Sequence, residues 1–181
     1  MKVFLFSCLI LLVSSLNLRN TAEAFDFAKF YTDLVNLHNT LRTKHRVGKL
    51  TKLAAIATMA QKTATNCAKI KTLQHSKDTY NGKPVGQNLY VKTNAPSAAD
   101  VMNGWYYKEE PNYNYETGKS KNGGVIGHFT QVVWKSTQQI GCAVATGTYL
   151  AYSGSYYVCC DYFPAGNYVG QYLQNVRTPS A

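Results

Sequence analysis

The sequence predicts an α+β domain, with helices in the first part of the chain and a small antiparallel sheet in the second. Apolar residues recur every three or four positions from Phe27 to Leu41, which is the spacing of an amphipathic helix. After residue 127 the chain becomes rich in β-branched and aromatic residues, in runs separated by glycines. Helices followed by strands are typical of a layered α+β fold. A hydrophobic content of 45% excludes wholesale disorder.

Residues 1–24 are predicted to be a secretory signal peptide. A charged start precedes an almost wholly apolar run over residues 3–16, and a small-x-small cleavage pattern ends at Ala24. The run is shorter than the roughly 20 residues of a transmembrane helix, and no second run of this kind follows. Residues 25–181 are therefore expected to form one secreted, extracellular domain without a transmembrane segment.

Two further helices are predicted before residue 112. Residues 51–67 place a row of alanines on one face, which favours close packing against a neighbouring element. Ser97 and Asp100 resemble a capping box, from which a third helix should run through Trp105 and end at Pro111.

Turns and strands account for the remaining segments. Residues 78–86 contain Asn-Gly and a proline, which indicate a turn. The polar, glycine-rich segment 112–127 is interpreted as a long loop. Three strands are predicted after it, over residues 129–134, 140–145 and 156–162.

The cysteine count indicates disulfides rather than a cysteine-rich metal site. Once Cys8 leaves with the signal peptide, Cys67, Cys142, Cys159 and Cys160 remain. An even count in an oxidising compartment suggests two disulfides, for which three connectivities exist. The paired CxxC units of zinc-binding domains are absent.

The charge of the chain is strongly basic, with a formal net charge of +10 at pH 7. A basic secreted protein is attracted to an anionic surface, such as acidic glycans or lipid headgroups, or to an acidic protein partner. The alternative is that the charge serves solubility alone. Nucleic acid is not an expected partner, because the basic residues are scattered and the export signal directs the chain to the wrong compartment.

Four motifs in the chain resemble signatures of the CAP superfamily, which includes cysteine-rich secretory proteins, venom antigens and plant pathogenesis-related proteins. They occur in family order, and the resemblance covers roughly residues 27–176. It implies a three-layer α-β-α sandwich with a central antiparallel sheet. The second signature departs from the family at Asp161, where a neutral or basic polar residue is usual. The motifs are His38-Asn39 with Arg42, Gly86-Gln87-Asn88-Leu89, Gly127-His128-Phe129-Thr130-Gln131-Val132-Val133-Trp134, and residues 157–167.

The resemblance also implies a central cleft with two histidines and two acidic residues, whose histidines bind divalent metal in several members. By position the histidines are His75 and His128. One acidic residue is assigned to Glu109 in preference to Glu110, and Gln87 occupies the place of the other. An amide cannot titrate and is a poor metal ligand, so paired-carboxylate catalysis is not expected. We therefore expect weak, non-catalytic zinc binding and assign no catalytic residue.

A lipid ligand is the more specific expectation. Yeast members that share the Gly-His-Phe-Thr-Gln stretch bind sterols through a loop just before it, and other members bind fatty acids in a groove between helices. In the matching loop here, Tyr113 and Tyr115 offer apolar faces with polar tips, although the usual Pro-Gly-Phe is missing. The alternative is that both tyrosines pack the base of the loop.

Three functions follow from these observations. The first is a secreted binding module for a sterol, fatty acid or other small lipid. The second is a metal-dependent hydrolase or protease that uses His75 and His128. The third is a defence or venom-type effector that binds a protein or glycan partner through its basic surface.

The resemblance also bears on the disulfides and on His38. It implies that Cys142 pairs with Cys160. The family partner of Cys67 falls near Gly147, which leaves Cys67 with Cys159 as the remaining possibility. His38 is expected to tie the first helix to neighbouring backbone rather than to act in the cleft.

Overall fold

The computed structural model describes residues 24–180, so the predicted signal peptide lies outside the described residues except for Ala24. Within this range no helix is long and apolar enough to cross a membrane. The helices are α1 (Phe27–Lys44), α2 (Ala54–Ile70), α3 (Ala98–Met102), α4 (Gly127–Val132) and α5 (Tyr172–Asn175). The strands are β1 (Thr51–Lys52), β2 (Thr79–Tyr80), β3 (Lys83–Pro84), β4 (Gly86–Lys92), β5 (Tyr113–Asn114), β6 (Lys119–Ser120), β7 (Gln139–Tyr149) and β8 (Tyr152–Phe163).

A four-stranded sheet forms the centre of the domain, in the order β1-β7-β8-β4. Strands β7 and β8 are antiparallel, as predicted; β4 also pairs antiparallel with β8, and the short β1 adds one parallel pair at the edge. The second predicted helix begins at Ala54 rather than at residue 51, because Thr51 and Lys52 pair with β7 instead.

Helices cover both faces of this sheet. Successive strand residues point to opposite faces, so Cys142, Cys160 and Tyr162 pack with α1, α3 and α4, whereas Ala143 and Cys159 pack with α2. The two sets form separate buried clusters. The α-β-α sandwich is therefore confirmed.

The capping box at Ser97 and Asp100 forms as predicted and begins α3. The helix is shorter than expected, since it ends at Met102 and continues as a π-helical turn over Asn103–Tyr107. This turn buries Trp105.

The strand predicted over residues 129–134 is wrong, because this segment forms helix α4 and the turn that follows it. The apolar side chains are buried, and the first backbone N–H groups of the helix donate to the Glu109 carboxylate rather than to a neighbouring strand. Strand β4 was not predicted either, and within the predicted loop β5 and β6 form a short hairpin.

His38 has a structural role, but its partner outside α1 is the Tyr162 side chain rather than the neighbouring backbone that was expected. Its ring is fully buried, with Nδ1 2.8 Å from the Leu34 carbonyl oxygen and Nε2 2.7 Å from the Tyr162 hydroxyl. Burial lowers the pKa of His38 to about 4, so the ring is neutral at physiological pH. It links α1 to β8.

The disulfide between Cys142 and Cys160 is confirmed and joins β7 to β8. The second possible pair is not formed, because Cys67 and Cys159 are free, buried thiols. The sulfur of Cys67 lies against the backbone of Gln74, and that of Cys159 is 3.6 Å from Oδ1 of Asp161. Each thiol is therefore engaged with another group, although both belong to the cluster beneath α2.

Candidate functional site

Glu109 and His128 form the first half of the predicted cleft. Nδ1 of His128 lies 2.6 Å from Oε1 of Glu109, while the other carboxylate oxygen accepts the backbone N–H groups of His128 and Phe129 at 2.9 and 3.0 Å. The indole of Trp105 lies parallel to the imidazole, with ring centroids 6.3 Å apart. Glu109 thereby fixes both the start of α4 and the orientation of the His128 ring.

Of the two neighbouring glutamates, Glu109 contacts His128 and Glu110 does not. The two neighbours point in different directions, and Glu110 accepts a hydrogen bond from the Tyr115 hydroxyl at 2.7 Å. Glu109 is nearly buried against α4.

His75 and Gln87 form the second half. Nδ1 of the exposed His75 lies 3.0 Å from Oε1 of Gln87, which also accepts the backbone N–H of Ser76 at 3.1 Å. The Gln87 amide nitrogen points inward and donates to Oδ1 of Asp161 at 2.8 Å. The residue in place of the family carboxylate thus connects a surface histidine to a buried carboxylate.

Strand β4 contacts both pairs of residues. Gln87 and the neighbouring Asn88 point to opposite faces of the sheet, and Asn88 donates to the backbone carbonyl of His128 at 3.1 Å. Within residues 24–180 no hydrogen bond joins His75 directly to His128. In the same range, no three His, Cys, Asp or Glu side chains are grouped as metal ligands would be.

The loop tyrosines do not present the exposed apolar faces that were expected. Tyr113 is fully buried, and its ring packs edge-on against Tyr115 and Phe129. Tyr115 is partly buried, with its hydroxyl bound to Glu110. The alternative given above, in which both rings pack the base of the loop, describes the structure.

An open groove of about 640 Å³ lies between the first turns of α1 and α2, at the β1 edge of the sheet. Typical small-molecule sites occupy about 300–1,000 Å³. The groove was not predicted, since it combines residues from four elements that are distant in sequence. Its apolar lining is formed by Phe27, Tyr31, Ala54, Ala57, Cys142 and Ala143.

Two lysines line the same groove. Lys52 lies over the Tyr31 ring, with Nζ 4.6 Å from the ring centroid, and it donates to the hydroxyl of Thr32 at 2.9 Å. Lys62 lines the groove from α2, and no acidic residue is among the lining residues. An apolar surface bordered by ammonium groups suits an amphipathic anion.

Comparison with known proteins identifies relatives of this chain and solved structures with a similar fold. A model of the cysteine-rich secretory protein family (CAP) matches residues 35–162. Cysteine-rich secretory protein 2 of Homo sapiens is 35% identical over 144 residues, which cover 75% of this chain and 56% of that protein. This chain therefore spans about half the length of that relative.

Two further comparisons cover nearly whole proteins. Golgi-associated plant pathogenesis-related protein 1 of Homo sapiens is 33% identical over 153 residues, which cover 83% of this chain and 94% of that protein. The solved structure of venom allergen-like protein 4 of Schistosoma mansoni matches with a TM-score of 0.56 at 23% identity, over 74% of this chain and 87% of that one. The structural match supports the fold.

Proposed function

This chain belongs to the cysteine-rich secretory protein family, and we propose that it acts as a secreted, extracellular binding protein for a small lipid. The observation that carries this proposal is the groove between α1 and α2, with its apolar lining and its two lysines. The groove takes the place of Tyr113 and Tyr115 as the proposed ligand contact, because Tyr113 has no exposed surface to offer.

The chemistry of the groove favours a fatty acid over a sterol. Both ligands would bury apolar surface against Phe27, Tyr31 and Ala57, which supplies the driving force. A fatty acid also carries a carboxylate that Lys52 and Lys62 can neutralise, whereas the single hydroxyl of a sterol gains less from an ammonium group. A long-chain fatty acid is the proposed ligand class.

Filling the groove should weaken binding of a radiolabelled C16 fatty acid. In Ala54→Trp an indole occupies the space beside Phe27, and we expect Kd to rise at least about tenfold, since excluded apolar contacts on this scale are worth roughly 1.4 kcal/mol or more. Because Ala54 is an exposed first residue of α2, the substitution should leave the fold intact. Equilibrium binding with the free fatty acid measures the effect.

Ala55→Trp is the matched control, because Ala55 is also exposed on the first turn of α2 but does not line the groove. Its affinity should equal that of the unmodified protein. Equal binding by the Ala54→Trp and Ala55→Trp variants would remove the groove as the site. Tighter binding of a labelled sterol than of the fatty acid would overturn the proposed ligand class.

A second proposal concerns weak zinc binding by His75 and His128. In each ring Nδ1 faces an acceptor oxygen of Gln87 or Glu109, so Nε2 is the nitrogen available to a metal. Bound zinc would supply a Lewis acid. Two imidazoles without a carboxylate ligand are fewer protein ligands than zinc sites usually provide, which is why weak binding is proposed.

Calorimetric titration with Zn²⁺ tests this second proposal. Gln87→Glu/Asp161→Asn should tighten binding by roughly 10-fold or more, since it restores a carboxylate beside His75 without placing it against the Asp161 carboxylate. His128→Ala should abolish binding in either background. Zinc binding that is unchanged in His128→Ala would show that the metal is held elsewhere.

A further inference from the structure

Only one orientation of the Gln87 amide lets its oxygen accept a hydrogen bond and its nitrogen donate one. The backbone N–H of Ser76 can only donate, and it lies 3.1 Å from Oε1. The Asp161 carboxylate, when ionised, can only accept, and it lies 2.8 Å from Nε2. The two partners together assign the amide, with its oxygen toward His75 and its nitrogen toward Asp161.

This orientation determines which nitrogen of neutral His75 carries the proton. Nδ1 lies 3.0 Å from Oε1 of Gln87, an oxygen that can only accept a hydrogen bond. The Nδ1–H tautomer is therefore favoured, and Nε2 retains its lone pair.

Asp161 supplies the negative charge that holds the Gln87 amide in this orientation. Its side chain is fully buried on the α2 face of β8, and its Oδ1 also lies 3.6 Å from the Cys159 sulfur. Within residues 24–180 its other oxygen has no hydrogen-bond partner. Burial raises the pKa of Asp161 to about 6, so the group is ionised at pH 8. A hydrogen bond to an ionised acceptor is about twice as strong as a neutral one.

We propose that Asp161 is a positioning residue for His75: through the Gln87 amide it holds the proton of the neutral imidazole on Nδ1 and keeps Nε2 free for a ligand. The Gln87 amide lies between the two groups, with His75 at its oxygen and the Asp161 carboxylate at its nitrogen. The charge of Asp161 therefore reaches the histidine through a single side chain.

The ligand class follows from the same geometry. His75 lines a cavity of about 200 Å³ together with Thr63 and Ser76. Lys62 and Asp78 also line this cavity, and a free Nε2 lone pair there accepts a hydrogen-bond donor. The inference concerns the same His75 that is proposed above to bind Zn²⁺, but its test contains no metal, so that either proposal can fail without the other.

The test is the tautomer of His75 in the metal-free protein, measured from ring ¹⁵N shifts at pH 8. In the unmodified protein the Nδ1–H form should dominate. Asp161→Asn removes the charge in a side chain of the same shape, and the ratio of Nδ1–H to Nε2–H should fall at least about fivefold. The exchanged variant Gln87→Glu/Asp161→Asn, which places a carboxylate directly beside Nδ1, should restore the Nδ1–H form.

Two controls separate positioning from a loss of structure. Asp33→Asn removes an exposed carboxylate from α1 that contacts neither Gln87 nor His75, and it should leave the ratio unchanged. The His38 and His128 signals should be native in every variant. If Asp161→Asn does not show native His38 and His128 signals, the uncharged variant Asp161→Ser is used in its place. An unchanged His75 ratio in a natively folded Asp161 variant would overturn the proposal.

Discussion

Replacing Arg42 by methionine should cost about 4 kcal/mol of unfolding free energy, because the buried carbonyls of Val132 and Thr137 lose their charged donor, at roughly 1–3 kcal/mol each. The guanidinium is fully buried and donates to four backbone carbonyls: Gly48 at 2.6 Å, Val132 at 3.0 Å, Trp134 at 2.9 Å and Thr137 at 2.8 Å. It joins the end of α1 to the turn that follows α4. Burial lowers the pKa of Arg42 to about 10, so it remains charged at neutral pH.

Urea denaturation measures this loss, with soluble yield as a second measure. The stability of Arg42→Lys should lie between those of the unmodified protein and of Arg42→Met, because an ammonium group keeps the charge but cannot span four carbonyls. Lys44→Met, at an exposed position on the same helix, should change stability by less than about 0.5 kcal/mol. A methionine variant as stable as the Lys44 control would contradict the role assigned to Arg42.

Gly141→Ala should be the second most damaging single change described here, at about 3 kcal/mol, near the upper end of typical overpacking costs. A Cβ at this position would lie 2.2 Å from the backbone nitrogen of Ala57 and 2.6 Å from its Cα. Backbone atoms cannot rotate aside, so α2 would have to move off β7. Because Ala57 also lines the proposed lipid groove, fatty-acid affinity should fall together with stability.

Gly48→Ala is the matched control, since nothing lies within 4 Å of its Cβ position. The same alanine substitution should be nearly neutral there. Thermal denaturation of the two variants gives the comparison. Equal melting temperatures would mean that α2 and β7 do not approach as closely as described.

Only part of the candidate cleft belongs to short motifs of the chain. Gln87 and His128 lie in such motifs, whereas His75 and Glu109 were assigned by position; the structure pairs His128 with Glu109 and His75 with Gln87. The consequence of the two departures at Gln87 and Asp161 could not be predicted, because only the register of β4 against β8 places them opposite each other. Nothing in their sequence separation indicates that contact.

The wrongly predicted strand over residues 129–134 has a physical reason in its composition. Residues 129–134 are apolar, aromatic and β-branched, a composition that a buried helix and a buried strand share. The helix forms because Glu109, about twenty residues earlier, accepts its first N–H groups. The lipid groove could not be predicted for a related reason, because α1, β1, α2 and β7 each contribute only part of its wall.

Lipid extraction and mass spectrometry of the protein purified from its native source test the central claim most directly. The account predicts that a long-chain fatty acid or another small lipid accompanies the protein in near-equimolar amount, and that Ala54→Trp protein carries much less of it than Ala55→Trp. Protein that carries no lipid and binds none on addition would contradict a lipid-binding function.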